Sequence, residues 1–196
     1  MVITIKNVKL HITANYHENK TMKPKFNPDF HHRKSIRLQG YDYSQEGLYF
    51  ITICCQNRSC FFGEIQSGQM LLNEYGQIAH QEWLKTAELR SNIAIDEFVI
   101  MPNHIHGIIQ VTKKEEASQR LDHTSGLHGP SKTIGAIIRG YKSAVTKQVT
   151  QLGFGGQLWQ RNYYDHIIRS EKSYIAIRNY IINNPENWKE DIFGSI

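Results

Sequence analysis

The chain has 196 residues, of which 40% are hydrophobic and 21% are charged, a composition typical of a globular protein with one buried core. No apolar run approaches the roughly 20 residues that a membrane-spanning helix requires, and the first residues lack the apolar block of a signal peptide. We therefore expect a cytoplasmic protein with no membrane partner. The formal net charge of +5 favours a polyanionic partner.

The N-terminal part of the chain is predicted to be a basic extension, residues 1–36, in which short apolar runs alternate with Asn, Lys and Pro. It ends in a basic run that supplies three candidate DNA-binding residues, Arg33, Lys34 and Arg37. Cations beside aromatic side chains can bind a single strand, although a solvated terminal arm explains the same pattern. We assign residues 37–190 to one domain.

The first half of this domain alternates strand and helix patterns. In chain order we predict a strand at 47–55, a hairpin at 62–72, a helix at 73–89, and strands at 93–101 and 104–111. Asn73 is a suitable N-cap, and the helix is expected to cover a sheet with apolar residues at helical spacing, namely Ile78, Trp83, Leu84 and Ala87.

The second half begins with an insertion near 113–131, which lacks apolar periodicity and is expected to be mobile. In chain order there follow a helix from Ser131 or Thr133 to about 150, a strand at 158–168, and a helix from Ser170 to about 183. The first of these helices carries an apolar stripe (Ile134, Ile137, Ile138, Tyr141 and Val145) and also basic residues. Among these, Arg139 and Lys142 are candidates for phosphate contacts, and a solvated basic face is the alternative.

Four strands and three helices in this order predict an α/β (α+β) sandwich, with one antiparallel sheet covered by helices. Two histidines lie at the start of a strand in this sheet. Because side chains two apart on a strand project from the same face, His104 and His106 are predicted to form a two-imidazole metal clamp. The alternative is a pair of packing histidines on a half-buried strand. Near the C-terminus, Tyr180 and Asn184 share a helix face if the last helix reaches Asn184.

These motifs carry a family resemblance. The sequence MPNHIHGIIQV at 101–111 resembles the HUH motif of the single-tyrosine transposases, and the segments 158–169 and 180–185 are similar to the REP-associated tyrosine transposases (RAYT). The likeness extends from about residue 37 to 188, with the motifs in the family's order. It implies a four- to five-stranded ferredoxin-like or RRM-like antiparallel sheet, with the nucleophile on a C-terminal helix.

The resemblance also implies a function, that of a metal-dependent single-stranded DNA endonuclease and strand transferase. It would act on hairpin-forming repeats through a 5′-phosphotyrosine, as a monomer or homodimer. Tyr180 is then the nucleophile, preferred over Tyr174. The implied ligands of Mg²⁺ or Mn²⁺ are His104, His106 and Asn184. His166 is either a helper near the scissile phosphate or a structural histidine.

Arg58 and Arg161 lie in segments that match the family, and we add them to the candidate DNA contacts. Two other functions fit the same residues. One is a nucleic-acid-binding module of the same fold without catalysis, in which the histidines only pack. The other is a metal-dependent hydrolase that uses water in place of tyrosine.

Overall fold

The computed structural model describes residues 41–112 and 133–191, and a compact unit begins at Asp42. The predicted extension 1–36, which includes Arg33 and Lys34, the adjoining Arg37, and the predicted insertion 113–131 lie outside the described residues. Within the described part of the chain, no helix is long and apolar enough to cross a membrane.

The described elements follow the predicted order closely. They are β1 (Gly47–Cys54), a 3₁₀ turn (Gln56–Arg58), β2 (Gly63–Gln66), β3 (Gln69–Leu72), α1 (Glu74–Glu88), β4 (Ile93–Ile100), β5 (His104–Val111), α2 (Ile134–Gln151), β6 (Tyr164–Ile168), α3 (Glu171–Ile182) and a second 3₁₀ turn (Trp188–Glu190).

Four strands form the central sheet in the order β4-β5-β1-β6, and every neighbouring pair is antiparallel. Without the β2–β3 hairpin, which forms its own two-stranded sheet, the chain order is strand, helix, strand, strand, helix, strand. This order and this strand arrangement are those of a ferredoxin-like fold. The predicted fold class is confirmed, with four strands in the main sheet.

The two faces of the sheet are covered differently. On one face, Trp83 of α1 packs so closely against the backbone of Gly107 that a Cβ there would lie 2.5 Å from the indole ring. The α2 residues that face this core include the whole predicted apolar stripe, and Val149 extends it. On the other face, which we call the site face, the ring of Phe50 from β1 and the ring of Tyr180 from α3 are in edge-to-face contact.

Side-chain caps fix where the helices begin. Asn73, Thr133 and Ser170 each accept a hydrogen bond from the backbone N–H three residues later, at 2.9, 3.3 and 3.3 Å respectively, and so satisfy amides that the first helical turn leaves open. Thr133 therefore takes the role for which Ser131 was the alternative. As expected from Pro185, α3 ends at Ile182.

Two predictions about element details were wrong. The predicted strand 158–168 begins only at Tyr164. Trp159 forms an isolated bridge with Cys55, but the chain then leaves the sheet, because the Lys142 ammonium binds the backbone carbonyls of Gln160 and Asn162 at 2.8 and 2.7 Å.

The buried face of α1 also differs from the predicted one. It is formed by Gly76, Ala79, Glu82, Trp83 and Thr86. Leu84, which was expected to pack on the sheet, is 42% exposed. The helix is rotated relative to the expected stripe because Gly76 permits close approach to the backbone carbonyl of Phe62, which a Cβ would meet at 2.1 Å.

Candidate active site

The two histidines of the HIH sequence lie at the start of β5, directly after the turn that joins it to β4. The turn is closed by a hydrogen bond from the Met101 amide to the His104 carbonyl, 2.8 Å long. Both imidazole side chains are fully buried, and their ring centroids are 4.4 Å apart. The predicted same-face arrangement of His104 and His106 is therefore present.

Each ring is oriented by a neighbour at its Nδ1 atom. His104 Nδ1 lies 2.7 Å from Asn103 Oδ1, and because a carbonyl oxygen only accepts, this nitrogen carries the proton and Nε2 presents a lone pair. His106 Nδ1 lies 2.8 Å from the Thr52 hydroxyl, which can donate or accept. Such contacts at the second ring nitrogen are characteristic of histidines that ligate metals.

Tyr180 near the end of α3 and Asn184 in the turn after it both lie beside these histidines. The helix ends at Ile182 and does not reach Asn184, so the condition for a shared helix face is not met. The Tyr180 hydroxyl lies 3.1 Å from His106 Nε2. Asn184, just past the helix end, is 1% exposed. Its amide oxygen is buried and receives no hydrogen bond from residues 41–112 or 133–191, so it is an acceptor with no protein donor in that part of the chain.

Sequence reasoning missed Asp191, which follows the last 3₁₀ turn and is 4% exposed. Its Oδ2 atom accepts hydrogen bonds from the Tyr180 hydroxyl at 2.9 Å and from the Asn184 amide nitrogen. The same oxygen lies 4.0 Å from His106 Nε2. No motif marks Asp191. The only hint in the sequence is that Pro185 ends α3, which allows the chain to turn back.

Together these groups can hold a metal ion. One ligand atom from each of His104, His106 and Asp191 lies within 4.8 Å of the others. The Asn184 oxygen next to them lacks a donor, which is the expected condition of an atom that serves a cation. Two imidazoles, a carboxylate and an amide oxygen form a donor set that suits Mg²⁺, Mn²⁺ or zinc.

Burial keeps the two histidines neutral. It lowers the pKa of His106 to about 4, against the opposing charge of Asp191. It also lowers the pKa of His104 well below its usual value, helped by the charges of His106 and Arg58 and opposed by the nearby Asn184 amide. Neutral imidazole is the form that binds metals, so both rings are suited to this role at neutral pH.

The same environment keeps Tyr180 protonated. Burial raises the pKa of its phenol strongly, and the charge and hydrogen bond of Asp191 act in the same direction. Its rival Tyr174 lies six residues earlier on α3 and so projects from another side of the helix. There the Asp96 carboxylate accepts a hydrogen bond from the Tyr174 hydroxyl and raises its pKa.

His166 is placed on the same sheet face as the histidine pair. It is paired in register with Phe50 of β1, and the Phe50 ring stacks on His106 with centroids 5.3 Å apart. His166 is exposed and lies on the edge strand β6. The strand positions therefore separate it from the His104–His106 pair by the width of β1.

The candidate DNA contacts differ in their surroundings. Arg58 follows Asn57 in a tight turn after β1, where both residues have a left-handed φ of 54°, and its charge acts on His104. Arg139 and Arg161 are exposed. Lys142 is instead partly buried, which lowers its pKa to about 8, and its ammonium holds two backbone carbonyls.

Comparisons with known proteins agree with this architecture. No protein-family profile matches the chain. An uncharacterized protein of Haemophilus influenzae (strain ATCC 51907 / DSM 11121 / KW20 / Rd) is 46% identical over 175 residues, covering 87% of this chain and 97% of that protein. The structure of a REP-associated tyrosine transposase bound to a REP hairpin superposes with a TM-score of 0.53 at 20% identity, over 76% of this chain and 72% of the other. The predicted resemblance is thus confirmed at the level of the fold.

Proposed function

Because the chain belongs to the same family as the uncharacterized Haemophilus influenzae protein and has the fold of a REP-associated tyrosine transposase, we propose that it is a DNA strand transferase. It is a metal-dependent endonuclease that cleaves single-stranded DNA with Tyr180 and can rejoin strands. The observation that carries this proposal is the position of the Tyr180 hydroxyl, 3.1 Å from His106 Nε2 and 2.9 Å from Asp191 Oδ2.

A divalent cation fits the donor set, with His104, His106 and Asp191 as ligands and the Asn184 oxygen as a fourth. When bound, such a cation supplies positive charge that polarises a phosphate and favours the phenolate form of a nearby tyrosine. This chemistry addresses the main obstacle in the site, because burial and Asp191 together raise the pKa of the Tyr180 phenol.

The residues of the chain account for the remaining parts of the reaction. Asp191 Oδ2 already accepts a hydrogen bond from the Tyr180 hydroxyl and is placed to take its proton. The Tyr180 oxygen then forms a bond to phosphorus, and the bond from phosphorus to the 3′-oxygen breaks. That oxygen takes a proton from water to give a 3′-hydroxyl, while the other product is a 5′-phosphotyrosine. A second 3′-hydroxyl reverses these steps and joins strands.

The proposed substrate is a hairpin in single-stranded DNA. The structural relative is bound to a REP hairpin, and we extend that class of partner to this chain. Exposed cations support this proposed partner. Arg139 on α2 and Arg161 in the segment before β6 are both exposed and can contact the phosphates of DNA. His166, exposed on the site face, is a candidate helper near the scissile phosphate.

The test uses two hairpin oligonucleotides with single-stranded flanks, one labelled at the 5′ end and one at the 3′ end. Each is incubated with Mg²⁺ or Mn²⁺, or with EDTA as the control. The proposal predicts a denaturant-resistant adduct that carries only the 3′ label, because the tyrosine holds the 5′-phosphate of the downstream strand. The 5′-labelled fragment is released with a 3′-hydroxyl.

The alternative functions give different results in the same experiment. Metal-dependent cleavage without any adduct would identify a hydrolase that uses water. Tight hairpin binding without cleavage, at every metal concentration, would identify a binding module of the same fold. An adduct that carries the 5′ label would contradict the proposed polarity.

A further inference from the structure

We propose that Arg178 and Glu97 form a clamp that positions the helix carrying the nucleophile. Arg178 Nη2 lies 3.0 Å from Glu97 Oε2, so an ion pair joins α3 to β4. Arg178 precedes Tyr180 by two residues on the same helix. The inference rests on the proposed function in one respect, which is that Tyr180 is the residue that must be positioned.

A β-bulge in β4 makes the clamp possible. The pairing of β4 with β5 shifts between Ile95 and Phe98, so that Asp96 and Glu97 together lie opposite Ile108. Regular alternation would send these two consecutive side chains to opposite faces. A bulge keeps an extra residue on one strand and redirects its side chains. Both carboxylates consequently reach α3.

Asp96, the other carboxylate of the bulge, also contacts α3. Asp96 accepts from the Tyr174 hydroxyl, one helical turn before Arg178. Positions four apart lie on the same side of a helix, so the two polar contacts follow one edge of α3. Asp96 is itself oriented, because its Oδ1 accepts a 2.8 Å hydrogen bond from the Glu97 amide.

Polar contacts matter for this helix because it buries fewer apolar residues than α2. In α3 only Ile177 and Ile181 are buried, whereas six residues of α2 are buried. Two large apolar residues of α3, Ile175 and Ile182, are 49% and 48% exposed. The Arg178–Glu97 pair is therefore one of the contacts that set the position of α3 on the sheet, together with those of Tyr180 to Phe50, His106 and Asp191.

Helix position matters for this chemistry because a nucleophile displaced by about 1 Å can lose on the order of 100-fold in rate. The Arg178–Glu97 pair is partly exposed, with side chains 45% and 28% accessible, so the loss from breaking it should be smaller. For Arg178→Glu, which places like charges together, we expect adduct formation at saturating hairpin to fall by roughly tenfold. Hydrogen exchange of the α3 amides should become faster.

The decisive variant exchanges the charges. Glu97→Arg with Arg178→Glu should restore both the adduct rate and the slow exchange of α3 to within about threefold of wild type, an estimate based on the usual coupling between contacting residues. Lys85→Glu is the matched control, since it breaks the 2.7 Å pair between Lys85 and Glu82 on α1 and should change neither measurement.

If the charge-exchanged double variant forms the adduct as slowly as Arg178→Glu, the clamp is wrong and Arg178 acts in another way, such as by direct contact with DNA. If Arg178→Glu leaves both the adduct rate and α3 exchange unchanged, the clamp is also wrong. If wild type forms no adduct while α3 exchange responds and recovers as expected, the clamp stands and the proposed nucleophilic role of Tyr180 fails.

Discussion

The oxygen atoms around Tyr180 determine what this site can do. Asp191 Oδ2 accepts hydrogen bonds from both Tyr180 and Asn184, and it lies beside His106. One carboxylate oxygen therefore connects the nucleophile, a candidate ligand and the histidine pair. A negative charge in this buried position is stabilised by its donors and by any cation that the histidines hold.

Metal affinity should rank the ligands. We expect His104→Ala and His106→Ala to abolish Mn²⁺ binding, and Asp191→Asn to weaken it more than Asn184→Ala, because a carboxylate carries charge and an amide oxygen does not. Isothermal titration with Mn²⁺ measures this directly. Asp42→Asn is the control, since it removes an exposed carboxylate that binds only Ser44 among the residues described. Unchanged affinity in the double histidine variant would favour the packing alternative.

At this scale the sequence predicted what local spacing controls. His104 and His106 are two apart on a strand, so strand periodicity alone gives them one direction. Tyr180 and Asn184 meet in another way, because α3 ends at Ile182 and Asn184 lies in the turn after it. Asp191 escaped prediction because its position depends on a chain reversal after Pro185. Trp188 stabilises that reversal by stacking on His104, with ring centroids 6.0 Å apart.

Among the elements, β5 is constrained on both faces. One face presents the histidines, and the other is pressed against α1 at Gly107, where a Cβ would lie 2.5 Å from Trp83 and 3.1 Å from Phe98. The glycine after HIH is thus required by helix packing. A larger residue would push the strand away from α1 and displace the histidine next to it.

We accordingly predict that Gly107→Ala destabilises the protein by about 1–3 kcal/mol, the usual cost of overpacking a core, and also weakens Mn²⁺ binding. Urea denaturation measures the first effect and titration the second. Gly155→Ala is the matched control, because a Cβ there meets nothing within 4 Å. Equal stability of the two variants would show that Trp83 moves aside easily.

Most elements could be predicted because their residues determine them locally. The caps at Asn73 and Ser170 and the alternating strands lie where propensity and periodicity place them. The segment before Tyr164 could not be predicted, since its apolar residues Leu158 and Trp159 are buried by tertiary packing while the carbonyls that follow are bound by Lys142. The bulge at Asp96 and Glu97 likewise depends on pairing with β5.

For the whole molecule, the net charge of +5 is useful only where cations are accessible. Arg139 and Arg161 are exposed, but Lys142 is partly buried and serves the backbone. Lys142→Ala is therefore expected to lower thermal stability as well as any affinity for DNA. The exposure of a cation thus distinguishes a candidate phosphate contact from a structural cation, and composition alone cannot make this distinction.

The salt dependence of binding should identify the phosphate contacts. For a double Arg139→Ala, Arg161→Ala variant, we expect weaker binding to every hairpin sequence and a slope of log affinity against log salt that is shallower by about 1.4, two contacts to a single strand. Wild type should prefer a hairpin over the matching duplex. Fluorescence anisotropy at several salt concentrations measures both. An unchanged slope, or equal affinity for duplex and hairpin, would place the DNA on another surface.

Above all, we expect Tyr180 to become covalently bound to DNA. The most direct measurement digests the adduct formed with a hairpin oligonucleotide and maps the nucleotide-bearing peptide by mass spectrometry. We expect the modified residue to be Tyr180, and we expect Tyr180→Phe to form no adduct while it binds the hairpin nearly as well as wild type. A nucleotide on Tyr174, or an undiminished adduct in Tyr180→Phe, would contradict it.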